Sequence, residues 1–126
     1  MPIVYELDRD ADLIVETWSG TITAADLAKY WRGYLGDAEV MACRRTLVDL
    51  RDATIAFTGA QLDDLVREVV LPRVGKLGWR TAVVVDHPTE FGVARQYQVF
   101  AERYSRDAIF FDEEQARSWL LEERPA

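Results

Sequence analysis

The sequence predicts an α/β fold: a single mixed, mostly parallel sheet that carries an N-terminal β-hairpin and is flanked by helices. After the hairpin, helix-period segments alternate with short apolar runs, and this alternation is typical of parallel strands joined by helical connections. The order of elements is ββαβαβαβα. The 126 residues suit one domain, so we assign residues 1–126 to a single unit.

The chain begins with two strands of alternating character. The polar segment DRDAD separates them and reads as the turn of a β-hairpin. One face of this hairpin is predicted to be buried through Ile3, Tyr5, Leu7, Leu13, Val15 and Thr17.

The next segment, TITAADLAKYWRGYLGD, predicts the first helix. Thr23 is its expected cap, Asp26 stands where a capping box needs an acceptor, and Gly36 is a plausible stop. Its inward side carries Leu27, Tyr30, Trp31 and Tyr34.

The segment RTLVDL predicts a short strand that ends at Asp49 and Leu50. After a loop, Thr58 and Gln61 form a T-x-x-Q capping box that opens the second helix. Pro72 is expected to end or kink this helix. Its apolar stripe consists of Leu62, Leu65, Val66, Val69 and Val70.

The last third of the chain repeats strand and helix twice. RTAVVVD is a nearly continuous apolar run, which indicates an interior strand covered on both faces. HPTEFGVARQYQVFAERY predicts a loop and a helix capped by Thr89, with Val93, Tyr97, Phe100 and Tyr104 on one face. DAIFFD is the last strand, and DEEQARSWLLEE is the last helix, with Asp112 as its cap.

The bulk properties exclude several classes of protein. A formal net charge of −7 argues against nucleic acids and anionic membrane surfaces as partners. Cys43 is the only cysteine, so no internal disulfide is possible and a cytoplasmic location is expected. With one histidine and one cysteine, a zinc site of standard composition is excluded, and we expect no cofactor. The N-terminal MPIVYELDRD lacks the features of a signal peptide.

Acidic residues follow two of the predicted parallel strands. Asp49, Asp52 and Asp86 are placed at or beyond the carboxyl ends of strands, and His87 lies in a loop at the same edge, where open α/β sheets bind ligands. The acidic residues could hold Mg²⁺, and His87 could act as a general base in a hydrolase-type enzyme. Aspartate is equally common where a strand gives way to a turn. We therefore predict neither a catalytic residue nor a metal site here.

Three further positions are candidates for ligand or partner contacts. Gly92 could allow close approach in the first turn of its helix, and Arg95 one turn in could receive an anion. The ordinary alternative is a normal helix start with a solvated arginine. Trp79, which follows GKLG, is a candidate for exposure on the surface.

Several segments together resemble the SpoIIAA-like group of the STAS superfamily. The resemblance covers nearly the whole chain and rests on LVDLRDA, RTAVVVDHPTEFGVARQYQVFAE and IFFDEEQARSWL. It implies the mixed α/β fold. It also implies kinship with CRAL-TRIO domains, in which a related core encloses a lipophilic ligand.

The same resemblance draws notice to the loop before the second helix. In the sporulation anti-anti-sigma factors of the group, an Asp-Ser-Ser-Gly motif at this loop is phosphorylated on serine, which controls docking. In this chain the motif is matched by Phe57, Thr58, Gly59 and Ala60, so Thr58 alone could accept a phosphate. The alternative is that Thr58 is only a helix cap.

These observations predict a non-enzymatic regulatory or interaction module that binds a protein partner or self-associates as a homodimer. The alternative is a carrier or sensor of a small lipophilic ligand, and a hydrolase-type enzyme is a more distant one. An apolar cavity between sheet and helices would favour the carrier or sensor. A solid core with an exposed apolar face would favour the interaction module.

Overall fold

The structure is a computed structural model that describes residues 2–74, 78–102 and 105–122. Five strands form one sheet in the order β1-β2-β3-β4-β5. The pair β1–β2 is antiparallel and every other pair is parallel, which confirms the predicted mixed sheet with its N-terminal hairpin. The strands are β1 (Ile3–Asp8), β2 (Leu13–Ile22), β3 (Arg45–Ile55), β4 (Trp79–Val84) and β5 (Ser105–Phe110).

Helices connect the strands and cover both sides of the sheet. They are α1 (Ala24–Tyr34), α2 (Ala38–Cys43), α3 (Gly59–Leu65), a π-helical turn (Val66–Val70), α4 (Leu71–Val74), α5 (Pro88–Ala101) and α6 (Glu113–Glu122). The short helix α2 was not predicted. It is capped by Asp37, whose carboxylate accepts the Glu39 N–H, and it ends at Arg44 in the left-handed conformation.

The two sides of the sheet carry separate hydrophobic clusters. The side packed against α1, α3, the π-helical turn, α4 and α5 is called the cavity face, and the side packed against α6 is called the α6 face. Alternate residues of β4 divide between them. Trp79 and Val83 belong to the cavity face, whereas Ala82 and Val84 belong to the α6 face. The apolar run of β4 is therefore explained by burial on both sides, as predicted.

The predicted buried face of β2 was wrong. Tyr5 of β1 pairs with Glu16 and Leu7 pairs with Ile14, so the β1 residues share their side of the sheet with the even-numbered positions of β2. Glu16 and Trp18 are both buried on that side. Because both faces of β2 are buried or half-buried from Leu13 to Trp18, simple alternation could not show which face met the larger core.

The predicted end of β3 was also wrong. Beyond Asp49, β3 leaves β4 but continues beside the long strand β2 as far as the Ile22–Ile55 pair. Asp49 and Asp52 therefore lie inside a strand. A register shift in β2 between Thr17 and Ser19 accompanies this extension.

The helix that contains Pro72 does not stop there. α3 runs through the π-helical turn into α4, and the Leu71 N–H donates to the Val66 carbonyl, five residues back. Proline has no N–H to donate to the carbonyl four residues back, and its ring crowds that carbonyl. The wide π-helical turn just before Pro72 accommodates both effects. Such turns are rare and are found frequently at functional sites.

Candidate functional site

A cavity of about 70 Å³ lies inside the cavity face, between the sheet and its helices. Native interiors seldom contain voids much larger than a water molecule, so a space of this size is unusual. Six aromatic residues contribute to its described wall: Trp18, Trp31, Tyr34, Phe57, Trp79 and Tyr97. Most of the remaining wall is aliphatic, and the other polar contributors are Glu16, Thr46 and Thr81.

Neighbouring elements bring the aromatic rings together. Glu16 and Trp18 are two residues apart on β2, so they project from the same side of the strand. Trp31 and Tyr34 lie on the buried side of α1, whose N-terminus is held by the predicted Thr23–Asp26 capping box. Edge and tilted ring contacts link α1 to its neighbours, including Trp31 with Tyr97 at 5.9 Å.

Glu16 is a carboxyl group buried in a largely apolar site, with 4% of its surface exposed. Its Oε1 accepts the Tyr30 hydroxyl at 2.5 Å, and its Oε2 accepts the Trp18 indole N–H at 2.8 Å. Burial raises the pKa of Glu16 to about 7, although both hydrogen bonds act to lower it. The carboxyl can therefore change its charge near neutral pH.

A second polar group in the wall is built around Thr46. Its hydroxyl lies 2.6 Å from the Tyr34 hydroxyl and accepts the Trp79 indole N–H at 3.2 Å. The buried hydroxyl and indole groups thus satisfy one another. Burial raises the pKa of Tyr34 well above its ordinary value, so this phenol stays neutral.

The solvent side of the cavity lies between α5 and the loop that follows β3. Phe57, Val93 and Tyr97 are the partly exposed members of the described wall, and the others are buried. Gly59, two residues after Phe57, packs closely against α5. A Cβ at this position would lie 2.7 Å from the Gln96 side-chain nitrogen. The loop therefore adjoins the mouth of the cavity.

The predicted exposure of Trp79 was wrong. Trp79 is 5% exposed and contributes to the cavity wall, where its indole N–H is bound to Thr46. The turn residues before Trp79 suggested a surface position. β4 begins at Trp79 itself, however, so its side chain joins the interior at once.

Thr58 forms the predicted helix cap. Its hydroxyl accepts the Gln61 N–H at 3.1 Å, and the Gln61 side chain accepts the Thr58 N–H at 2.9 Å. The capping box is confirmed. Thr58 is also exposed, and a role in partner contacts stays a prediction.

The acidic residues are not gathered into a metal site. Among the described residues, no group of three or more histidine, cysteine, aspartate and glutamate side chains could hold a metal ion. Asp52 is exposed within β3, and Asp49 is bound by Arg51, which also reaches Glu113. Asp86 and His87 follow β4, with their Oδ1 and Nδ1 atoms 2.5 Å apart.

The start of α5 differs in detail from the predicted helix entry, and ligand contacts of Gly92 and Arg95 stay predictions. The cap is His87 rather than Thr89, and no side-chain hydrogen bond closes it. Nothing lies within 4 Å of a Cβ built at Gly92, so no described part of the chain packs against this glycine. Arg95 is exposed and donates to the Gln98 side chain at 2.6 Å.

An exposed aromatic pair lies near the carboxyl ends of β4 and β5. The rings of Phe91 and Phe111 are stacked at 5.8 Å with an interplanar angle of 7°. Phe91 is 37% exposed and Phe111 is 67% exposed. The sequence interpretation did not single out this pair, because the two residues lie 20 positions apart and meet only in the folded chain.

No protein-family model matches this sequence, and no curated protein matches it. Solved structures do. One is a protein from Shewanella loihica PV-4 of the DUF3478 family, described as having a SpoIIAA-like fold. It has a TM-score of 0.61, 18% identity, and coverage of 94% of this chain and 91% of that one.

A second solved structure is the anti-sigma factor antagonist SpoIIAA in its unphosphorylated form. It has a TM-score of 0.57 and 14% identity, and it covers 94% of this chain and 96% of that chain. The chain has a SpoIIAA-like fold. This conclusion confirms the fold that the sequence resemblance implied, and it concerns the fold alone at these identities.

Two further observations concern membrane-spanning helices and Tyr104. None of the described helices is long and apolar enough to cross a membrane. Tyr104, predicted to share a face of the third helix with Val93, Tyr97 and Phe100, lies outside the described residues.

Proposed function

We propose that this SpoIIAA-like chain is a non-enzymatic binding module whose cavity holds a small lipophilic molecule, as a carrier or a sensor. The observation that carries the proposal is the aromatic cavity of about 70 Å³ on the cavity face. The sequence favoured a protein-binding role. It also predicted that an internal apolar cavity would favour a carrier or sensor instead.

The lining of the cavity supports this function. Most of its described wall is aromatic or aliphatic, so an apolar occupant would gain contacts with the surrounding rings. The π-helical turn also bears on the proposal, because Val70 belongs both to that turn and to the cavity wall.

Native mass spectrometry of the protein purified without detergent from its own host tests the proposal. We expect a non-covalent adduct of small-molecule mass on the wild type. Ala94→Leu should abolish it, because Ala94 lines the cavity and a leucine would occupy the space. The matched control is Val99→Leu on the same helix, whose side chain is 54% exposed. An unliganded wild type, or an adduct that Ala94→Leu retains, would contradict a ligand in this cavity.

A second candidate function is binding of a protein partner or of a second copy of the chain. The exposed Phe91–Phe111 pair favours it, since stacked aromatic rings at a surface are common centres of protein interfaces. The likeness to an anti-sigma factor antagonist points to a regulatory protein as the partner. A Phe111→Ser variant should then lose a partner, or lose self-association, that the wild type shows in pull-down and size measurements.

The same experiment examines Thr58 as a switch. Thr58→Asp keeps a side chain that caps helices well and adds a negative charge next to the cavity mouth. If Thr58 is a switch, Thr58→Asp should weaken partner recovery while Thr58→Ser does not. Equal recovery from both variants would leave Thr58 as a cap only.

A further inference from the structure

We propose that the molecule held in the cavity is a small lipophilic cation, either a protonated alkylamine or a group that ends in a quaternary ammonium, with its charge beside Glu16. This inference deepens the proposed function and rests on it. The charge, the ring content and the size of the cavity support it.

The charge of the cavity wall favours a cationic ligand. Glu16 is the carboxyl group of the described wall, and none of the described lining residues is lysine, arginine or histidine. The groups that hold the Glu16 oxygens, Tyr30 and Trp18, are both neutral donors. When Glu16 is ionised, none of the described lining residues supplies a cation to face its negative charge. A buried carboxylate is costly unless an opposite charge accompanies it, and a cationic ligand supplies one.

The aromatic rings of the wall also favour a cation. Three of the four tryptophans of the chain belong to the wall, together with two tyrosines and a phenylalanine. Aromatic rings carry negative potential on their faces and attract cations there, tryptophan most strongly. Arginine already uses this interaction on the α6 face, where the Arg80 guanidinium carbon lies 4.2 Å from the centre of the Trp119 ring. Rings and a carboxylate in one cavity suit an organic cation better than a neutral or anionic ligand.

The size of the cavity limits the ligand group that it can hold. A cavity of about 70 Å³ has room for roughly five water molecules, at about 10–15 Å³ for each. This volume suits a ligand of about five non-hydrogen atoms, such as butylammonium or tetramethylammonium. If a longer apolar chain were attached to such an ammonium head group, the chain would extend towards solvent through the mouth between Phe57 and Tyr97.

Glu16 is also the group whose charge changes with pH in this part of the cavity. The titratable neighbours on adjoining elements are Tyr30 and Tyr34 of α1 and Tyr5 of β1. Burial is the main cause that raises the pKa of Tyr30 and Tyr34, and the bond to Asp37 raises that of Tyr5 to about 12. These neighbours stay neutral while Glu16 ionises. Preference for a cation should therefore increase from about pH 6 to about pH 8.

The test is a set of NMR titrations of the whole protein at about pH 8 with four probes of similar size: butylammonium, tetramethylammonium, butanol and butyrate. We expect both ammonium ions to bind about tenfold more tightly than butanol, and butyrate to bind most weakly. Glu16→Gln should weaken the two cations about tenfold and leave butanol unchanged. The unchanged butanol affinity then shows that the variant is folded and that its cavity is intact.

Glu90→Gln is the matched control, because Glu90 is also a buried glutamate but does not belong to the described wall. It should keep the wild-type preference. If butanol binds the wild type as tightly as the ammonium ions do, or if the preference survives Glu16→Gln, the cation inference is overturned while the lipophilic cavity stands. If none of the four probes shifts the resonances of the cavity residues, the proposed function is overturned together with the inference.

Discussion

The two faces of the sheet are built differently. Among the described residues, the buried hydrophobic cluster of the α6 face is aliphatic: Leu13, Leu47, Ala82, Val84, Ala116 and Leu120. The buried Arg80 also lies on this face, where its guanidinium packs over the Trp119 ring. The cavity face combines a buried carboxyl, several buried hydroxyl and indole groups, and an internal space. Buried polar groups therefore occur on both faces, and the ring-lined cavity is the departure from close packing that sets the cavity face apart. Such departures in one region of an otherwise consistent fold are expected at functional sites.

The largest expected effect concerns the stability of the cavity face as a function of pH. Burial raises the pKa of Glu16 from its ordinary 4.5 to about 7, so the folded state retains a proton that the unfolded state has released. The free energy of unfolding should therefore fall as pH rises through this window, by about 3 kcal/mol from this group. Glu16→Gln should remove this part of the slope in urea unfolding between about pH 4.5 and pH 8.

Asp107 offers a comparison for that experiment. Burial raises its pKa from 3.8 to about 6, so its contribution has the same sign but lies at lower pH. Asp107→Asn should flatten the curve mainly below about pH 6. Parallel wild-type and Glu16→Gln curves would show that Glu16 is not buried as a neutral acid, and the contrast between the two faces would lose its main support.

A smaller effect distinguishes the packing of the two faces. Ala94 lines the cavity and Ala82 lies in the α6 cluster, and both are buried. Ala94→Leu places its added carbons in the open space and should raise the free energy of unfolding by about 1 kcal/mol. Ala82→Leu has no such space and should lower it by about 1–3 kcal/mol.

Midpoints of urea unfolding measure both changes. Opposite signs for the two variants would confirm that only one face has room for a larger side chain at these positions. A loss of stability of the same size in both would mean that the cavity closes on its own in solution.

The smallest effect compares the helix caps of the two faces. Thr58 caps α3 beside the cavity mouth, and Asp112 accepts the Glu114 N–H at 2.7 Å at the start of α6. Thr58→Ala and Asp112→Ala should each cost about 1 kcal/mol of stability, while Thr58→Asp should cost little. Only Thr58→Ala should also weaken ligand binding, because α3 contributes Leu62 to the cavity. If the two alanine variants bound the ligand with equal affinity, the loop that Thr58 ends would make no contribution to ligand binding in the cavity.

Several elements were predictable because their signals are local. The capping boxes at Thr23 and Thr58 each involve residues only three positions apart, and both are formed. The apolar run of β4 needs no information beyond itself to indicate an interior strand. The extension of β3 could not be found in this way, since its polar residues look like a turn and pair only because β2 continues beside them.

The candidate site was predicted less well than the fold. Seven residues were predicted from the sequence to contact a ligand or partner. Six of them do not belong to the described cavity wall: Thr58, Asp52, Asp86, His87, Gly92 and Arg95. Trp79 does line the cavity. It was predicted as a contact residue because it was expected to be exposed, whereas it is buried. Glu16 was missed because a charged residue in an alternating strand is normally on the solvent side. Its neutral partners, Trp18 and Tyr30, come from two different elements.

Patterns of hydrophobic period, capping residues and turn residues thus established the mixed sheet and the order of its strands and main helices, although not the short helix α2. These features depend on residues a few positions apart, and a single sequence contains that information. The burial of Glu16, the ring-lined cavity and the stacking of Phe91 on Phe111 depended on which side of each strand met which helix. Tertiary packing decides that question through contacts between distant segments, and no local stretch of the chain contains it.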